Sequence, residues 1–239
     1  MAEAYWYENG EWRHGIPADY FCRPGSVISI VGGGGKSSLM EHLAEEYSQK
    51  GLKTAVMTTT KIHRPETFCE TAAESERCWK EGRYAICGAL NDERKLGRPT
   101  GELLDWLVRE ADVILSEADG ARMMPCKAPA EYEPVFLPQT DMVIAVMGME
   151  VPGRTVGDIC FRPEKVCELL GCGMEHVLNS DDLVKLMLSD SGMRKLVGNM
   201  EYHIVLNKCD DEQRMQQAKE ILRLLEAKGH FRTVLTRLK

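Results

Sequence analysis

The chain predicts an α/β fold with a mainly parallel sheet flanked by helices on both faces, and three observations predict it. Short continuous apolar runs, such as Val27-Ile28-Ser29-Ile30-Val31 and Met142 to Met147, alternate with longer segments of helical periodicity. Four successive glycines, Gly32 to Gly35, stand between the first of these runs and the first long helical pattern. The polar clusters fall directly after apolar runs, where the carboxyl ends of parallel strands place ligands.

Taken in order, residues 1–25 read as a prefix, with a hairpin at Asn9-Gly10 between aromatic residues and a turn at Pro24-Gly25. Residues 26–239 read as one nucleotide-binding domain. Its first strand is Val27 to Val31. A helix from about Ser38 to Lys50 carries Leu39, Leu43 and Tyr47 on one face and stops at Gly51. Lys53 to Met57 is the second strand. A weak helical pattern covers Ala72 to Lys80, and Tyr84 to Cys87 reads as a strand. Glu102 to Ala111 is a helix, and Val113-Ile114-Leu115 and Met142 to Met147 are buried strands. Residues 148–200 read as mostly helical, a helical insertion with start signals at Pro163 and Ser180. His203 to Leu206 is a strand, Glu212 to Lys228 a strongly periodic helix and Phe231 to Leu235 a final strand.

Composition narrows the function classes. An apolar fraction of 44% and a charged fraction of 28% suit a soluble globular chain. The formal net charge of −7 gives no basis for a nucleic-acid or membrane surface. No apolar run reaches membrane-spanning length, and the N-terminus Met1 to Tyr7 lacks a basic region followed by an apolar stretch, so the cytoplasm is the expected compartment. The nine cysteines contain no CxxC pair, which argues against a zinc site and for small buried residues; Cys167 and Cys172 read as helix positions.

The glycine run continues as Gly32-Gly33-Gly34-Gly35-Lys36-Ser37-Ser38. Strand, glycine loop and helix in succession make a phosphate-binding loop, and hence a P-loop NTPase-like fold. Glycines let the backbone approach an anion, and the N–H groups at the helix start point toward it. Lys36 is then expected to bridge the β- and γ-phosphates, Ser37 to ligate Mg²⁺ and Ser38 to meet the α-phosphate. The loop is a short variant: Ile30 stands where the longer pattern has its first glycine. A plain glycine turn would not need Lys36 at the helix start, where its charge opposes the helix dipole unless an anion is present.

Four further segments join it. Asp112 to Gly120 is an apolar strand ending in Glu117-Ala118-Asp119-Gly120, the place for a carboxylate that holds Mg²⁺ and senses the γ-phosphate. Glu117 is the expected metal ligand and Asp119 a second candidate; with Lys36 they are the candidate catalytic set. The spacing Glu117 to Gly120 resembles the acidic motif of GTPases that act in metallocentre assembly. Asn207-Lys208-Cys209-Asp210 resembles the element by which GTPases read guanine, with Asp210 accepting from the base, Asn207 bracing loops and Lys208 over the ring. Thr58-Thr59-Thr60-Lys61 ends the second strand and could meet the γ-phosphate or a substrate, as could Lys127 in the loop Lys127 to Pro134. The alternative for each segment is an ordinary turn or strand end.

In combination these residues resemble the YqeC family of selenium-dependent molybdenum hydroxylase accessory proteins. The likeness runs from Val27 onward and rests on Ile30 to Met40, Thr58 to Ile62, Glu117 to Ala121, Lys127-Ala128-Pro129, Glu133-Pro134, Arg162-Pro163-Glu164 and Asn207 to Asp210. Phe161 stands where that pattern has histidine, so no role for that histidine carries over. The resemblance implies an accessory factor that binds GTP or ATP with Mg²⁺, hydrolyses it, and serves a molybdenum hydroxylase client. Two alternatives stay open from the residues themselves. One is an ATP-dependent kinase or ligase acting on a small molecule; the other is a non-catalytic nucleotide-binding module.

Overall fold

Residues 2–238 are described by a computed structural model. Strands β1 (Glu3–Glu8) and β2 (Glu11–Gly15) form a hairpin whose turn residues Asn9 and Gly10 both have positive φ, 53° and 85°. A short helix, α1 (Pro17–Phe21), follows, then β3 (Ser26–Gly32), helix α2 (Lys36–Gln49) and β4 (Thr54–Thr58). The next stretch holds β5 (Lys61–His63), α3 (Ala72–Lys80), β6 (Ala85–Ile86), β7 (Ala89–Asp92), β8 (Lys95–Gly97) and α4 (Gly101–Glu110). Then come β9 (Val113–Glu117), β10 (Cys126–Lys127) and β11 (Met142–Gly148). The remainder is α5 (Val156–Ile159), β12 (Cys160–Phe161), α6 (Pro163–Leu170), α7 (Ser180–Leu188), β13 (Glu201–Asn207), α8 (Glu212–Ala227) and β14 (Thr233–Arg237).

The molecule is a mixed α/β structure built on one nine-stranded sheet of order β2-β1-β14-β13-β11-β3-β9-β4-β6. From β14 to β6 the strands run parallel; β1 and β2 add an antiparallel edge, so residues of the N-terminal hairpin belong to this sheet. Alternation along the strands sends side chains to two cores. Ile28, Ile30, Ile144 and Val205 pack under Phe21 of α1 and Leu39, Leu43 and Tyr47 of α2. Val31, Val143, Ala145 and Ile204 face the other way, against Leu183 and Leu186 of α7 and Ile221 and Leu225 of α8. Val27, Ala55 and Met57 meet Leu103 and Leu107 of α4 in a third cluster. Burying one such side chain contributes about 1.5–3 kcal/mol, so the all-buried strands β4 and β11 anchor the middle of the sheet.

Local signals place several helices. Thr71 and Glu74 form a capping box at α3, Thr100 caps α4, and Asn179 with Asp182 caps α7. Two expectations need correction. Residues 148–200 are not mostly helical: α5, α6 and α7 are short and joined by turns, including left-handed Arg162 and Gly171 at the two ends of α6. Cys167 lies on α6, but Cys172 falls beyond Gly171, which ends that helix as a left-handed cap. A separate three-stranded sheet, β5-β8-β7, stands apart on largely exposed residues. Among the described residues no helix is long and apolar enough to cross a membrane.

Strand β3 is the pivot of the sheet. The chain leaves it toward β4 on one side and later returns to place β11 on the other, with β9 inserted between β3 and β4. The loop after β3 therefore opens at the carboxyl ends of three adjacent strands, β9, β3 and β11, where the winding reverses.

Candidate functional site

The glycine loop is enclosed by the chain's own backbone. A side chain at Gly33 would collide with the carbonyl of Met124, and one at Gly34, where φ is 80°, with the backbone of Gly148. Gly33 N–H donates to Val146 O at 2.9 Å and Gly32 N–H to Asp119 Oδ2 at 3.1 Å, tying the loop to β11 and to the segment after β9. Beyond these the pattern changes. Among the described residues, the N–H groups of Gly34, Gly35, Lys36, Ser37 and Ser38 carry no protein acceptor. These five consecutive donors lead into the first turn of α2, whose terminus also presents the positive end of the helix dipole. Ser37 and Ser38 are exposed there, while Lys36 is buried.

Lys36 folds back over the loop. Its Nζ donates to Gly32 O at 2.7 Å and lies 3.1 Å from Asp119 Oδ1, an ion-pair separation without hydrogen-bond alignment. Asp119 Oδ2 is 2.9 Å from Lys127 Nζ. Lys127 Nζ in turn donates to Gly120 O and to Glu133 Oε2, both at 2.7 Å. Glu133 Oε2 also accepts from Arg162 Nη1 at 2.6 Å and from Ala130 N–H at 3.2 Å. The result is a buried chain of alternating charge, Lys36–Asp119–Lys127–Glu133–Arg162, reaching from the glycine loop to the start of α6. Burial alone would raise the Glu133 carboxyl, but hydrogen bonds from Arg162 and Lys127 outweigh it and hold it at about 2.

Glu117, at the end of β9, lies across from the loop: its Oε2 accepts from Ser37 Oγ at 3.5 Å. Burial raises its pKa and the Asp119 charge adds to that, against the opposing pull of Lys36 and Ser37. Its backbone carbonyl accepts from the Thr58 hydroxyl and from the Thr59 N–H, each at 3.1 Å. Thr59 Oγ1 donates to Val135 O at 2.6 Å, and Thr60 pairs with the Thr58 hydroxyl at 3.2 Å. On the other side of the loop Asn207 Nδ2 donates to Gly34 O at 2.9 Å, and Asn207 Oδ1 accepts from Thr236 at 2.8 Å.

The fold thus gathers Gly32 to Ser38, Glu117, Asp119, Lys127, Asn207 and the threonines Thr58 to Thr60 about one loop. Lys61, Lys208 and Asp210 make no hydrogen bond or ion pair to that loop among the described residues. Lys61 is exposed on β5, paired with Gly97. Lys208, at φ 62°, pairs with Glu150, and Asp210 lies 3.7 Å from Arg214. Sequence reasoning missed Glu133 and Arg162 as parts of the site. Each precedes a proline, and both dipeptides stand among the motifs that carried the resemblance, which was the available signal.

A family model described as YqeC protein matches residues 28–164, a stretch that includes the glycine loop, Glu117, Asp119, Lys127, Glu133 and Arg162. The chain is also 36% identical over 182 residues to YqeC of Escherichia coli (strain K12), an alignment that covers 72% of this chain and 71% of the relative.

Proposed function

This chain belongs to the YqeC family, and we propose that it is a P-loop nucleotide-binding protein that hydrolyses GTP or ATP as an accessory factor in maturation of a selenium-dependent molybdenum hydroxylase. The observation that carries the nucleotide reading is the row of five acceptor-free N–H donors, Gly34 to Ser38, at the start of α2 beside the buried Lys36 ammonium. The client is supported by the resemblance alone.

In this reading the backbone of Gly34 to Ser38 cradles the phosphates, and Lys36 exchanges Asp119 and the Gly32 carbonyl for β- and γ-phosphate oxygens. Asp119 then retains Lys127 as its cation, so phosphate arrival alters the charge chain that runs to Glu133 and Arg162. Ser37 and Glu117 would hold Mg²⁺. They are hard oxygen donors facing each other across the loop, and a cation there would offset the burial that disfavours the Glu117 carboxylate. When bound, the ion neutralises charge on the β- and γ-phosphates. Thr58 and Thr59 fix the Glu117 backbone and so its aim. Asn207 braces the loop through Gly34 O, and Asp210 would accept from guanine, which places GTP slightly ahead of ATP.

The partners already held by Lys208 and Asp210 favour a second reading. In it the Asn207–Asp210 turn is structural and the loop serves an ATP-dependent kinase or ligase. Titration of the purified protein with labelled GTP and labelled ATP in Mg²⁺, beside Asp210→Ala, separates the two. A GTP preference that the variant loses supports the GTPase. A preference for ATP, or indifference to Asp210, overturns the guanine assignment and leaves the second reading. No binding of either nucleotide overturns both.

A further inference from the structure

Away from the glycine loop, at the β6 edge of the sheet, three thiols come together. Cys69 Sγ and Cys78 Sγ are 3.8 Å apart, and Cys87 Sγ lies 3.4 Å from Ser75 Oγ. Backbone hydrogen bonds fix two of them: Cys69 N–H donates to Ile86 O and Cys87 N–H to Val56 O, each at 2.7 Å, and Gly88 N–H returns to Cys69 O at 3.1 Å. Cys78 is presented by the capped helix α3. Cys87 is fully buried and Cys69 is only 5% exposed; Cys69 and the half-buried Cys78 line a cavity of about 600 Å³ between α2, α3 and the strand edge. That volume suits a small organic molecule. Its charged lining is mixed: Arg77 and Arg83 with Glu45 and Glu74. Among the described residues no three His, Cys, Asp or Glu side chains are arranged to hold a metal ion.

We propose that Cys69 and Cys78 are a reactive dithiol, oxidised by a small zwitterionic disulfide that binds in this cavity. The guanidiniums of Arg77 and Arg83 meet its carboxylates, and Glu45 meets its ammonium group. Cys69, as thiolate, attacks one sulfur of the bound disulfide R–S–S–R, forming Cys69–S–S–R and releasing RS⁻, which takes up a proton. Cys78 gives its proton to solvent and attacks Cys69 Sγ; the Cys69–Cys78 bond forms and the second RS⁻ leaves and is protonated. Two thiols of the protein lose two electrons, and one disulfide gains them and becomes two RSH. Hydrogen bonding to Cys87, and further to Cys78 and Ser75, favours the Cys69 thiolate over the thiol and makes it the attacking group, while burial holds the Cys78 thiol up as the second to react.

The test uses the full chain, reduced and freed of reductant, with oxidised glutathione as the probe and intact mass with peptide mapping as the readout. The wild type is expected to lose two hydrogens, with the new disulfide mapped to Cys69 and Cys78 and no glutathionyl group retained. Cys78→Ser is expected to keep one glutathionyl group on Cys69, and its thermal melt shows that it is folded; Cys78→Ala serves if it is not. The exposed Arg77→Ala should slow the reaction with oxidised glutathione roughly two- to fivefold and leave the reaction with uncharged hydroxyethyl disulfide unchanged. A wild-type disulfide mapped to other cysteines, or a folded Cys78 variant with its adduct elsewhere than Cys69, overturns the dithiol. Equal rates for Arg77→Ala and wild type with both probes overturn the cavity as the binding site.

Discussion

The Lys36 ammonium lies 3.1 Å from the Asp119 carboxylate, with the two side chains only 5% and 4% exposed. In so dry a setting neither charge can lose its partner without a substitute. Asp119 has one at hand in Lys127, at 2.9 Å. Lys36 is therefore the member of the pair that can leave toward an incoming phosphate at little cost to the site.

Lys36→Ala is expected to weaken binding of labelled GTP or ATP on the order of 100-fold, because it removes the buried cation that the proposed nucleotide reading assigns to the phosphates. Isothermal titration with Mg²⁺ and a phosphate-release assay check this. Unchanged turnover in the variant would sink the nucleotide reading.

Lys127→Met leaves Asp119 and Glu133 facing each other across the position of a buried cation, and should destabilise the fold by about 3–5 kcal/mol in urea titration. Adding Glu133→Gln should cost clearly less than the sum of the two single changes, since both act on one charge chain. Simple additivity would mean that the chain does not act as a unit.

His203 sets an acid limit to stability. Burial holds its imidazole neutral and lowers its pKa to about 4 against the opposing hydrogen bond to Glu201. The unfolded chain takes up a proton near the ordinary value of 6.5 while the folded chain does not, so stability contributed by this site is whole above that value and declines as pH falls toward 4. The loss amounts to about 2–3 kcal/mol. Urea midpoints measured across this range should flatten in His203→Gln; an unchanged slope would assign the dependence to other groups.

Gly33→Ala should destabilise the fold by about 1–3 kcal/mol and impair nucleotide binding with it, because the added methyl meets the Met124 carbonyl and Pro125 backbone rather than a movable side chain. Thermal melts with and without nucleotide report both effects. A variant with wild-type stability would show that the Met124–Pro125 segment yields freely.

Much of the central sheet was legible in the chain because its strands are apolar on both faces. Val27 to Val31, Met142 to Met147 and His203 to Leu206 all mark true strands, and the structure extends each by one to three residues. Helix α3 also fell where its pattern placed it, between the Thr71 cap and Gly82. The small sheet β5-β8-β7 was not legible, since exposed residues such as Lys61, Asn91 and Asp92 carry no alternation. The stretch 148–200 misled because Pro163 and Ser180 do start helices, but the turns between short helices leave no periodic trace. In the candidate site, loop residues could be read from one contiguous motif. Glu133 and Arg162 could not, because their meeting depends on how two distant loops pack. The same holds for Cys69 and Cys78, which spacing alone presents as two scattered cysteines.

Strand β1 pairs with β14, Glu3 opposite Arg237 and Trp6 opposite Val234, so the first strand among the described residues docks on the last. On the ribosome the aromatic hairpin must wait, unpartnered, until Thr233 to Arg237 has been synthesised and has joined β13. A translation product that stops short of β14 leaves the edges of β1 and β13 that pair with it open to neighbouring chains.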